Sequence, residues 1–279
     1  MVAVRRSVAV VGVLSVLVAA AVAASSSSQA APAPKYATST TKYVGSSVWD
    51  ALDRLATPAD YDRWAAKLES GGTRADFAKD LFRQREWSQG VVYDIYDQVL
   101  IREPDDGGLT YWTNKLQSGF RSANLAAALY ASNEFYEGAG GTPSAYVDLI
   151  YISILQRPAD DAGKAYWVRK LDEGQPRSVI ARNFWLTTES NSRRVNKLYL
   201  RFLLRNPDPK ARASWSKRLV TEDDKALAAA LVASDEYYRW SQRRVVIGPT
   251  TTTTSKPPSV TLTTISTSTT STTVTVPRP

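Results

Sequence analysis

Leu100-Ile101-Arg102-Glu103-Pro104-Asp105-Asp106-Gly107-Gly108-Leu109-Thr110-Tyr111-Trp112 is the stretch from which the fold of this chain is read. Pro104 cannot continue a helix without losing a backbone hydrogen bond, so a first helix ends at Arg102. Asp105 is a good N-cap, with an oxygen able to accept from the exposed N–H groups of a second helix. On that helix Trp112 and Leu116 stand four apart and give an apolar stripe that runs out near Gly119. Upstream, Val92, Ile95, Tyr96 and Val99 keep helical spacing and predict the buried face of the first helix. Downstream, Leu125, Leu129 and Tyr130 predict a third helix, and Ser132-Asn133-Glu134 reads as a capped restart.

The same grammar occurs four times. Trp64, Trp112, Trp167 and Trp215 are each preceded by ten residues by Arg54, Arg102, Arg157 and Arg205, and followed after four by a leucine. Thr57, Asp105, Asp160 and Asp208 take the cap position, and Glu86, Glu134, Glu189 and Glu236 mark the restart. Matches at so many fixed offsets predict an all-α protein of four tandem helical-hairpin repeat units. Units 1 and 2 occupy residues 46–137 and units 3 and 4 residues 145–247. Between them the Gly-rich loop 138–144 reads as the hinge of the array. Either a short solenoid or two paired lobes satisfies the pattern. The four recurring tryptophans are expected in the core, and Trp240 as an exposed exception.

The ends have a different composition. Residues 1–31 carry Arg5 and Arg6, then an apolar run, then small residues, which reads as a signal peptide. The alternative is an uncleaved anchor, because about 18 apolar residues can just span a bilayer. Residues 32–45 read as a linker, and 248–279, almost all Thr, Ser, Pro and Val, as a disordered tail open to O-glycosylation. The expected location is therefore the medium or the cell surface. The chain is not expected to be an integral membrane protein unless the signal stays uncleaved.

The quoted string, with Leu116, Gly119 and Ser132-Asn133-Glu134-Phe135, resembles the bacterial exported family called domain of unknown function 4214. The segment with Leu155, Arg157, Asp160, Gly163, Tyr166, Trp167, Leu171 and Gly174 matches that pattern nearly as well. The first and fourth segments keep Arg, Trp and Leu but depart at the Gly and Tyr positions. The resemblance implies a helical, often repeated domain on exported proteins, loosely similar to phycobilisome linker domains, and it brings no catalytic residues with it.

Function is bounded mainly by exclusion. The 279 residues contain no Cys and no His, which removes thiolate chemistry, disulfides, the usual zinc and haem ligands and the imidazole base. Asp105-Asp106 and Asp160-Asp161 lack the oxygen-rich alternation of a calcium loop, so no metal or cofactor is expected. The recurring Arg, Asp and Glu are read as structural: a cap, a helix-end cation and a first-turn acid. A carboxylate-dependent glycoside hydrolase acting on envelope polysaccharide is the alternative to a non-catalytic binding or scaffolding role, and its carboxylate pair should break the repeat.

Charge varies along the array. Residues 46–92 and 93–145 are net −1 and −4, whereas 146–196 and 197–244 are net +2 and +5. Arg239, Arg243 and Arg244 at the basic end, directly before the tail, are the expected contact with an anionic surface. The expected partners are anionic cell-envelope polymers or a surface protein; no nucleic-acid-binding signature is present.

Overall fold

The computed structural model describes residues 35–244 and is all helical, with no strand among the described residues. Counting each π-turn with the helix that contains it, there are fourteen helices among the described residues. The first three are α1 (Thr38–Leu52), α2 (58–69, with a π-turn at Tyr61–Ala65) and α3 (Arg74–Leu81). Next come α4 (Arg85–Leu100), α5 (Asp106–Gln117), α6 (Ser122–Tyr130) and α7 (Asn133–Gly138). They are followed by α8 (143–155, with a π-turn at Tyr151–Leu155), α9 (Asp161–Asp172) and α10 (Arg177–Trp185). The last four are α11 (Thr188–Leu203), α12 (Pro209–Arg218), α13 (Asp224–Ala233) and α14 (Asp235–Gln242).

Capping follows the expected residues. Asp105, Asp160 and Asp208 accept from the backbone N–H three residues on at 2.8, 2.8 and 2.9 Å. Thr57 and Asp60 form a reciprocal capping box at the start of α2. Ser132, Thr187 and Ser234 cap the restarts, and after Thr187 the restart runs straight into a single sixteen-residue helix. The long helices end two residues before the arginines, not at them. Asp53, Ile101, Gln156 and Leu204 each adopt the left-handed conformation, with φ of 53–56°, that closes the last turn. For a side chain with a Cβ this costs on the order of 1–2 kcal/mol, so the arginine clasp described below has strain to offset.

Two cores form, and they do not divide the chain at 138–144. One unites α1–α3 and Trp87 at the start of α4 with the C-terminal half of α11 and with α12–α14; the other unites the rest of α4 with α5–α10. The pairing helices are α3 with α13 and α6 with α10. The segment around Arg54 thus shares its interior with the one around Arg205, and the segment around Arg102 with the one around Arg157. The Gly-rich loop is correspondingly not a hinge between lobes. Gly138, Pro143 and Ser144 are helical, and Gly140 and Gly141 donate to the Glu137 and Tyr136 carbonyls at 2.9 and 3.0 Å. The loop joins two segments of one core, which holds it in place.

Two other expectations need correcting. The linker 32–45 is helical from Thr38, because Tyr43 and Val44 are buried and Tyr43 Oη donates to the Val232 carbonyl at 2.9 Å. The Thr/Ser run here is outweighed by what the next two residues bury. Of the four recurring tryptophans only Trp64 is in the core, with its Nε1 donating to Asp80 at 2.7 Å. Trp112, Trp167 and Trp215 are half-buried, because exposed Tyr111, exposed Tyr166 and the Arg218 guanidinium lie on them in place of a helix. Trp240 is half-buried as well. The expected signal at 1–31 and tail at 248–279 lie outside the described residues. Among the described residues no helix is long and apolar enough to cross a membrane.

Candidate functional site

The recurring arginines are brought to carboxylates on the following restart. Arg102 clasps Glu134 through Nε and a terminal nitrogen at 2.6 and 2.7 Å, Arg157 binds Glu189 at 3.2 Å, and Arg205 reaches Glu236 at 2.6 Å. Arg54 sits 3.4 Å from Glu86 but is held mainly by Asp60, at 2.6 Å. Each arginine also donates to the carbonyl of the residue after it. Arg102, Arg157 and Arg205 lie over Tyr96, Tyr151 and Tyr199. These guanidiniums are tied by an acid and a carbonyl, and in three of the four segments by a ring, and so fix the turn between first and second helices while keeping part of their surface exposed. The arginine bonds hold the Glu134 and Glu236 carboxyls below the usual carboxylate range.

The basic residues at the end of α14 are treated differently by the fold. Four spacings of helix place Arg239 and Arg243 on one side of α14, both exposed. With Leu203, Glu236 and Trp240 they line a groove of about 240 Å³. Arg239 donates to the Asp235 carbonyl at 3.2 Å, and Arg243 forms no ion pair with any described residue. Arg244 does not belong to this exposed set. It pairs at 2.8 Å with the Asp50 carboxylate, whose side chain is only 5% exposed, and its guanidinium lies 3.9 Å from the centre of the Trp240 ring. Trp240 rests on Tyr237, and Tyr237 Oη donates to Asp50 at 2.7 Å, closing a four-membered ring of contacts of which Trp240 lines the groove. Burial raises the Asp50 pKa against the opposing pull of Arg244 and Tyr237. Burial, and then the neighbouring Asp50 charge, push the Tyr237 phenol well above its ordinary value, so it remains a donor.

A second concave site, not foreseen in the sequence, lies where the lobes meet. Trp87 and Trp185 wall a cleft of about 70 Å³ that also receives Asp94, Asp224, Arg194 and Lys197. Asp94 pairs with Lys197 at 3.3 Å and Asp224 with Arg194 at 2.9 Å, and burial raises the Asp224 pKa. Both carboxylates break the repeat, which was the available signal. Each is committed to a cation, however, and the cleft has room for about two water molecules. Its chemistry is that of a polar joint. Arg121 strengthens the joint by donating to the Leu219, Val220 and Glu222 carbonyls across it.

No curated protein and no solved structure matches the chain. The family motif read in the sequence has its counterpart in α4–α10 and the start of α11: residues 87–138 and 126–194 each match the family described as Domain of unknown function (DUF4214).

Proposed function

We propose that this chain is an exported, non-catalytic helical repeat protein that binds anionic polymers of the cell envelope through Arg239 and Arg243. The observation that carries the reading is the groove itself: two exposed guanidiniums, neither in an ion pair with a described residue, beside a Trp240 ring held by Arg244. Guanidinium forks match oxyanions in shape as well as charge. Support for the repeat comes from the lobe joint. Asp94 and Lys197 each stand eight residues before the arginine of their own segment, and they pair with each other, as equivalent positions do across a pseudo-twofold axis. The four clasps at matching offsets support it further.

Binding to isolated cell envelope, measured by sedimentation, is expected to fall steeply as salt rises from 0.1 to 1 M. Over that interval the Debye length shrinks from about 10 Å to about 3 Å. Arg239→Ser with Arg243→Ser is expected to reproduce most of that loss at low salt. An envelope-bound fraction indifferent to both changes overturns the proposal. Arg244 is left intact in this test, because removing it strands a buried carboxylate.

A further inference from the structure

We infer that residues 36–142 and 143–244 are two binding partners fused in one chain, and that opposite charges at the axis between them dictate which half pairs with which. The inference extends the helical-repeat part of the reading above and does not depend on its anionic ligand. Neither half closes a core alone. The first supplies α1–α7 and the second α8–α14, and each core takes helices from both. Their covalent connection is the stretch 139–142 between α7 and α8.

The halves meet at matching positions. Val91, Asp94 and Gln98 stand 11, 8 and 4 residues before Arg102, and Arg194, Lys197 and Arg201 stand at the same distances before Arg205. All six line the cleft between α4 and α11. The starts of α6 and α13 meet in the same way, for Arg121 and Asp223 each stand 13 residues before the restart glutamate, Glu134 or Glu236. Asp223 accepts from the Ser122 N–H at 2.8 Å, and Arg121 donates to the Glu222 carbonyl at 2.7 Å. Away from this axis, Arg74 bonds Asp235 and lies 4.9 Å from the centre of the Tyr238 ring. Arg177, at the same offset as Arg74, bonds Asn133 and lies 4.5 Å from the centre of the Tyr136 ring. One twofold exchange of the halves accounts for all these contacts.

That symmetry by itself would also admit two copies of the same half, and charge opposes this. Residues 36–142 hold 11 basic and 15 acidic side chains, net −4, whereas 143–244 hold 19 and 12, net +7. At the axis the acid of the first half, Asp94, pairs with Lys197 of the second at 3.3 Å. Where α6 meets α13 the polarity is reversed, with Arg121 from the first half and Asp223 from the second. Two first halves would set Asp94 against Asp94 and Arg121 against Arg121. Two second halves would set Lys197 against Lys197 and Asp223 against Asp223. Like charges so placed work against association, and opposite ones favour it and fix the register. The charge difference along the chain is thus addressed in part to the chain's own other half.

A recognition site for a specific protease, placed between Gly140 and Gly141 of the full chain, lets the folded protein be cut at its connecting loop. The cut protein is then unfolded in urea and refolded by dilution beside the uncut chain. Native mass spectrometry is expected to show one species, first half with second half, and circular dichroism the helicity of the uncut chain. Lys197→Asp in the cut protein is expected to weaken reassembly several-fold. Adding Asp94→Lys, which restores opposite charges with their places exchanged, is expected to recover it. Same-half pairs in statistical proportion overturn the charge rule, as does a Lys197→Asp variant that reassembles normally or is not recovered by Asp94→Lys. Halves that refold separately as compact monomers overturn the pairing itself, and so does a cut protein that fails to reassemble while the uncut chain refolds. None of these results bears on salt-sensitive binding of the uncut chain to cell envelope, which tests the Arg239–Arg243 reading alone.

Discussion

In the lobe built from α4 to α10, a tyrosine and a glycine share the space between first and second helices; in the other lobe the same space at α1 and α2 holds Val48 and Asp60. A Cβ at Gly108 would stand 2.8 Å from Tyr96 Oη, and one at Gly163 would be closer still to Tyr151 Oη. Neither position has positive φ, so these glycines answer to volume and not to backbone conformation. Where valine replaces the tyrosine, the vacated room takes the Asp60 carboxylate, which bonds Arg54 at 2.6 Å and the Thr57 N–H at 2.7 Å. The fourth segment pairs Tyr199 with Ala211, an intermediate solution. One recurring position thus constrains another through the space they share, and where the tyrosine is lost the glycine is lost with it. The DUF4214 matches cover the lobe that keeps tyrosine and glycine. The basic groove and the buried Asp50 lie in the lobe that departs from it.

The largest effect expected from this contrast concerns tryptophan. Trp64→Ala removes a 1%-exposed indole and its bond to Asp80, and should cost about 3–5 kcal/mol in urea unfolding. Trp112→Ala, at a half-buried site under Tyr111, should cost roughly half as much. Equal losses would show that the two lobes bury this position alike, against the packing described above.

Gly163→Ala tests the shared volume directly. Overpacking against Tyr151 should destabilise by about 1–3 kcal/mol. Adding Tyr151→Phe to the same chain should recover most of it, because the clash is with the hydroxyl. A double variant no more stable than Gly163→Ala alone would mean that the glycine serves some other purpose.

The smallest effect belongs to the clasps. The folded-state pKa of Glu134 is lowered, so its contribution is present above the unfolded value of about 4.3 and lost as pH falls through the folded one. Both partners are more than one-third exposed, and the pair should be worth less than about 1 kcal/mol. Glu134→Gln should lower the urea midpoint slightly at pH 7, and the difference from the parent chain should vanish in acid. A gap that widens on acidification would reverse the sign assigned here.

Much of this fold was legible because its signals are local. Caps at Asp105, Asp160 and Asp208, proline stops, and apolar residues four apart each act within one or two helical turns, and repetition at fixed offsets made them mutually reinforcing. The start of α1 was missed because Thr38–Lys42 has linker composition, and only the burial of Tyr43 against α13 and α14 makes a helix there worthwhile. The groove was half legible. Arg239 and Arg243 stood out as cations, but nothing within reach of Arg244 in sequence announces Asp50, 194 positions away.

The sequence by itself determined the helical class, the place and period of the helices, the Arg–Glu offsets and the lack of thiol and imidazole chemistry. All of these depend on residue type and spacing along the chain. Only the tertiary structure decided which segments share a core, which tryptophans lie inside, and which arginine is taken by a buried acid. Those outcomes depend on which faces meet across long separations, where one apolar stripe can be covered by any of several others of the same period.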